Sequence, residues 1–277
     1  MKTRKLIRTA AAVIAMMAGY AQAAVVTVWD VTDTAVFVPA SVSPSCAGAS
    51  CPVLSAGDTS LRWGTPASAA GQSGLDISNP AGAVAVPLSA LTATIDVTHL
   101  NHPVFDTTLN TVDILATLQL TPNTPPGLPG LPPGDILFKV KFFETPNEPG
   151  AVCADGGANH VGKNINGCAD IFVIDNEAAN FDFWYDTDGA GGDDPVLYSV
   201  SFFEMTSGFN FLPTAACLAA TGSSAPCRGF ETAEFLDTTV HFGILITAAV
   251  PEPDSMALFG LALASLGWVG RRRRLQK

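Results

Sequence analysis

Leu91-Thr92-Ala93-Thr94-Ile95-Asp96-Val97-Thr98-His99 alternates apolar and polar residues without a break. Leu91, Ala93, Ile95 and Val97 share one face, and Thr92, Thr94, Asp96 and Thr98 the other. A period of two predicts a half-buried antiparallel strand. Val112, Ile114, Ala116, Leu118 and Leu120 repeat the pattern. Pro122 to Pro133 reads as a loop that no strand crosses, and Ile136, Phe138, Val140 and Phe142 resume the alternation. Val25 to Val38 reads as strands with a turn around Thr32 to Thr34, and Pro39 to Gly74 as a surface excursion pinned by Trp63. Ile171 to Ile174, Phe181 to Tyr185, Val196 to Phe203 and Thr239 to Thr247 are strand-like, separated by Gly, Asn and Asp clusters. No segment outside the two termini has useful helical periodicity. The expected fold is all-β, a single β-sandwich of jelly-roll type spanning 24–249.

The two ends read differently. Lys2, Arg4, Lys5 and Arg8 precede an apolar run from Ala10 to Gly19 and then Ala21-Gln22-Ala23, which predicts a signal helix over 1–23 with cleavage before Ala24. Such a leader engages the Sec translocon and signal peptidase. At the other end, Pro251 and Pro253 keep the chain extended up to Asp254. The uncharged stretch 255–270 predicts a transmembrane helix, slightly short of the roughly 17–25 residues usual for a span. Arg271, Arg272, Arg273 and Arg274 open a basic tail over 271–277 that holds that end in the cytoplasm. Val250-Pro251-Glu252-Pro253, the Leu/Gly/Ala-rich span and the four arginines resemble the PEP-CTERM sorting signal of Gram-negative bacteria. The resemblance implies recognition by exosortase, delivery to the cell envelope or exopolysaccharide matrix, and an inner-membrane intermediate during sorting.

The formal charge of −11 understates the acidity of the exported part. Once both ends are removed, the basic residues are Arg62, Lys139, Lys141, Lys163 and Arg228, and the net charge is about −18. That surface excludes nucleic acid as a partner and repels anionic glycans unless divalent cations bridge them. Six cysteines fall as three sequence neighbours, Cys46 with Cys51, Cys153 with Cys168, and Cys217 with Cys227. An even count in an exported chain predicts disulfides, with local pairing expected among fifteen connectivities. The short paired spacings of a zinc site are absent.

Three groups of residues are candidates for chemistry. His99 extends the apolar face of its strand, so it is either a buried, hydrogen-bonded histidine or a metal ligand with His102, the latter only if the chain turns at Pro103. Asp182, Asp186, Asp188, Asp193 and Asp194 gather carboxylates on a glycine-rich loop that reads as an acidic turn or a calcium site, without EF-hand spacing. Glu144, Glu231 and Glu234 lie near aromatics, as a glycan hydrolase requires, yet no nucleophile elbow, phosphate loop or HExxH helix accompanies them.

A second resemblance spans most of the exported chain. Arg62-Trp63-Gly64-Thr65-Pro66, Thr98-His99-Leu100-Asn101, Phe143-Glu144-Thr145-Pro146-Asn147, Cys168-Ala169-Asp170-Ile171-Phe172-Val173 and Gly229-Phe230-Glu231-Thr232 together resemble the THxN family of PEP-CTERM proteins. Thr98, His99 and Asn101 carry the motif that names that family, which implies export and sorting but no catalytic assignment. The expected function is a non-catalytic structural or interaction role in the envelope or matrix, with no cofactor other than calcium. A calcium-dependent glycan-binding module and a polysaccharide-processing enzyme are the alternatives.

Overall fold

The computed structural model describes residues 25–146, 150–175, 180–187, 195–206 and 209–249. Its strands in chain order are β1 (Val28–Phe37), β2 (Val53–Leu54), β3 (Ser60–Trp63), β4 (Thr65–Pro66), β5 (Ser73–Ser78), β6 (Val84–Pro87), β7 (Thr92–Leu100) and β8 (Val104–Phe105). There follow β9 (Thr111–Thr124), β10 (Gly134–Phe143), β11 (Asp170–Asp175), β12 (Asn180–Tyr185), β13 (Val196–Glu204) and β14 (Asn210–Phe211). Helix α1 (Thr214–Thr221), β15 (Arg228–Thr232) and β16 (Asp237–Ala249) complete the described chain.

The chain divides into two compact units. The larger, Val26–Asp182 with Ser199–Thr247, holds a seven-stranded sheet in the order β14-β15-β11-β10-β9-β1-β6. Its second sheet runs β13-β16-β7-β5-β3-β2, and β4 pairs with β8 alone. The inner rows of both sheets share one core: Phe37, Val112, Ile114 and Phe142 from the first meet Leu61, Trp63, Leu75 and Val97 from the second. Each large side chain buried there contributes roughly 1.5–3 kcal/mol over its exposed state. In the smaller unit, the Phe183 ring stacks on Tyr198 at 5.3 Å between centroids.

The alternation in β9 is realised in full, since Val112, Ile114, Ala116, Leu118 and Leu120 are all buried. In β7 it holds for Ile95, Val97 and His99, whereas Leu91 lies before the strand and is exposed. Four readings change. No turn interrupts β1 at Thr32 to Thr34: Thr32, Asp33 and Thr34 pair continuously with Gln119, Leu118 and Thr117 of β9. β9 also runs through Pro122 to Thr124. β10 pairs with β9 only as far as Leu118, so the proline sits where that side of the strand no longer needs an N–H. The excursion from Pro39 to Gly74 contains β3, which enters the second sheet and buries Trp63 completely.

The fourth change concerns helices. The fold is mostly β, with a short α1 that ends at Gly222 in the left-handed conformation. Only Ala216 and Cys217 of α1 are buried, too few to impose a readable period, and the Cys217–Cys227 disulfide holds it. The predicted membrane-spanning C-terminal helix is corrected: among the described residues no helix is long and apolar enough to cross a membrane. The predicted stretch 255–270, the signal helix over 1–23 and the basic tail lie outside the described residues.

Candidate functional site

At one end of the larger unit, strands of both sheets finish together. The register pairs Phe143 of β10 with Ile171 of β11, and Asp170 with Thr232 of β15. Glu144, Asp170 and Thr232 therefore leave the first sheet at adjacent positions. From the second sheet come Trp63 at the end of β3, His99 near the end of β7, and Asn101 just beyond it. Glu234 follows β15 after one intervening residue, Ala233. Asp170, His99 and Asn101 are fully buried, and Glu234 almost so.

Oxygens of Glu144, Asp170 and Glu234 all lie within 4.8 Å of one another. Trp63 Nε1 donates to Glu144 Oε2 at 2.8 Å. The backbone N–H of Thr145 donates to Asp170 Oδ1 at 2.8 Å, and the Thr145 hydroxyl donates to the Cys168 carbonyl at 2.6 Å. Cys168 is bonded to Cys153, so a disulfide backs the segment that carries Asp170. Asn101 Nδ2 donates to the Thr232 carbonyl at 2.7 Å, tying β7 to β15. His99 is walled by Phe142, edge-on at 4.9 Å between centroids, and by Trp63, nearly parallel at 6.2 Å. Its Nε2 is 3.8 Å from Asp170 Oδ2.

Burial sets the electrostatics. It pushes Glu144 up to about 7, with the hydrogen bond from Trp63 opposing the shift and the nearby Asp170 and Ser73 side chains acting in the same direction as Trp63. Asp170 is driven well above the carboxylate range by burial and by the charges of Glu144 and Glu234. Burial, then the charge of Glu144, raises Glu234 to about 8. Burial and the nearby His102 lower His99 to about 3, which keeps its imidazole neutral. A neutral imidazole beside carboxyls that ionise only with difficulty can share protons or bind a cation.

The other candidate residues are placed as follows. Thr98 points away from this cluster and meets Thr239 across the strands, hydroxyl to hydroxyl at 2.8 Å. His102 does not join His99: its Nδ1 lies 2.9 Å from the Gln72 carbonyl. His99 itself is buried as parity requires, but neither ring nitrogen makes a hydrogen bond, to Asn101 or to a carbonyl. Glu231 pairs with Lys163 rather than with Glu144. Asp182 is exposed and Asp186 half-buried, while Asp188, Asp193 and Asp194 lie outside the described residues. Cys46–Cys51, Cys153–Cys168 and Cys217–Cys227 are all bonded locally. The sequence alone assigns Asp170 no role and offers Glu144 and Glu234 as candidate acids together with Glu231, which the structure places elsewhere.

Residues 249–274 match the family model described as PEP-CTERM protein-sorting motif. The four residues Val250, Pro251, Glu252 and Pro253 and the cluster Arg271 to Arg274 fall within that match, outside the described residues. No curated protein and no solved structure matches the chain. A mostly-β protein with this motif at its C-terminus is consistent with a secreted or cell-envelope protein. The expected attachment to a membrane through a C-terminal helix is corrected along with the helix itself, since no such helix occurs among the described residues.

Proposed function

We propose that the chain is a cargo of the exosortase route, delivered to the envelope or extracellular polysaccharide matrix of a Gram-negative cell, where it serves a structural or interaction role without catalytic turnover. The match over 249–274 is the observation that carries this reading. Three local disulfides support export, because such bonds persist in oxidising compartments. The acidic exported part, about −18, supports a soluble cargo that meets anionic glycans only through cations.

The narrower reading, membership of the THxN family, has its own support. The five strings of that resemblance are far apart in the chain, yet Trp63, His99 with Asn101, Glu144 with Thr145, Asp170, and Thr232 meet at one buried cluster. A shared site gives the five strings one structural reason to stand together in this chain.

Expression in a Gram-negative host with and without an exosortase tests the delivery. Wild type is expected in the envelope or medium only when the enzyme is present, and Pro251→Ala/Glu252→Ala/Pro253→Ala is expected to stay unprocessed in both hosts. Identical distribution of the two proteins, or full-length wild type retained in the cytoplasm, would count against it.

A further inference from the structure

We propose that Glu144, Asp170, Glu234 and His99 form a binding site for one divalent cation. The geometry comes first. Donors bonded to one ion at about 2.1–2.5 Å stand at most about 4–5 Å apart, and the three carboxylates bring oxygens within 4.8 Å of one another. Their hydrogen bonds are distributed in a telling way. Glu144 has Oε2 fixed by Trp63 and Oε1 without a hydrogen bond; Asp170 has Oδ1 fixed by Thr145 and Oδ2 without one. Glu234 has no hydrogen bond on either oxygen. One oxygen of each oriented carboxylate is thus held by the protein and the other left to bind, the arrangement that outer partners give to metal ligands.

His99 is the independent observation. A fully buried imidazole with no hydrogen bond on either nitrogen is costly unless something binds it, and its Nε2 faces the free Oδ2 of Asp170 at 3.8 Å. The buried Asn101 Oδ1 is likewise without a hydrogen bond. Among the described residues no lysine or arginine pairs with the three carboxylates, and Lys163 is engaged by Glu231. A cation supplies the missing positive charge. Three carboxylates with one imidazole suit Zn²⁺ or Mn²⁺ better than Ca²⁺, which prefers oxygen alone. Glu144 lines a cleft of about 650 Å³ beside Phe105 and Pro103, and Glu234 lines a second of about 510 Å³ beside His160 and Pro103, so two of the four ligand residues border solvent-filled space.

The test uses purified full-length protein, stripped with chelator, dialysed, and titrated separately with Zn²⁺, Mn²⁺ and Ca²⁺, with bound metal and melting temperature as readouts. One equivalent of Zn²⁺ or Mn²⁺ per chain and a raised melting temperature are expected. Affinity should fall about 100-fold or more in Glu234→Gln and in His99→Phe, whose ring keeps the packing between Trp63 and Phe142, and about 10-fold in Trp63→Phe, which removes the donor that orients Glu144 together with part of the ring beside His99. Far-UV circular dichroism identifies which variants fold, and the two ligand variants are independent so that one folded protein suffices. Any of three results overturns the proposal: no retained ion in wild type, undiminished affinity in a folded Glu234→Gln or His99→Phe, or Ca²⁺ binding abolished instead by Asp182→Asn/Asp186→Asn.

Discussion

Asp33 offers the sharpest test of the sandwich core, because an acid stands where the period of β1 demands an apolar residue. Trp29, Val31, Ala35 and Phe37 share its buried row, and Asp33 itself is 1 % exposed. It borders a cavity of about 40 Å³ whose other walls include Ile95, Val97, Ile114, Phe138 and Phe242. Desolvation raises its pKa from 3.8 to about 6, with the Thr94 hydroxyl opposing the shift. The folded state then binds the proton more tightly than the unfolded chain. Stability from this group is complete below about pH 4 and is lost as pH rises through about 6. At about 1.4 kcal/mol per pKa unit, the loss approaches 3 kcal/mol by pH 7. Asp33→Asn keeps the shape and removes the ionisation, and every other group titrates alike in both proteins. Urea unfolding with disulfides intact, followed by tryptophan fluorescence at half-unit steps from pH 4 to 8, reads the difference. The midpoints should coincide within error near pH 4 and separate to about 1 M by pH 7, the variant being the more stable. Parallel pH profiles for the two proteins would refute the assignment of Asp33 to a dry, ionisation-resisting site.

Other perturbations probe the remaining supports. Replacing Cys153 and Cys168 together by Ser opens a loop of fifteen residues and should cost about 3 kcal/mol in denaturant melts, more than the same change at Cys46 and Cys51, whose loop is shorter. Gly64 has φ +78° and an added Cβ would stand 2.4 Å from Val104 Cβ, so Gly64→Ala should lower stability by about 2 kcal/mol and a near-neutral result would mean that β4 and β8 separate readily. Arg62 grips Asp76 through two hydrogen bonds of 2.8 Å at a half-exposed edge, and Arg62→Ala should cost about 0.5–1 kcal/mol at neutral pH. Arg62 helps lower the pKa of Asp76, so that cost should shrink as pH falls through the Asp76 titration; a cost that persists at pH 2 would point to packing of the arginine stem instead.

What could be read in advance follows from the range of the interactions. The strands of highest regularity, β7, β9 and β10, announce themselves because a sheet with one buried face imposes a local period of two. Proximity also makes the three disulfides readable, each closing over fifteen residues or fewer. β3 escaped because Ser60 to Trp63 is too short to display a period and is flanked by Ser, Gly and Pro, while α1 escaped because a disulfide and two buried residues replace an apolar stripe. The carboxylate cluster is a harder case for a different reason. Glu144, Asp170 and Glu234 become neighbours only through the registers of β10 with β11 and of β11 with β15, and His99 joins them from the other sheet. No spacing along the chain encodes such a meeting, which is why Asp170 and His99 cannot be joined to the two glutamates from the sequence alone. The local signal was the company each one keeps. Glu144 precedes Thr145, which binds Asp170, and Asp170 stands opposite Thr232, whose carbonyl binds Asn101 two residues after His99. Polar residues placed at strand ends, where the alternation would otherwise call for apolar ones, mark the positions at which the fold spends stability, and in this chain those positions converge.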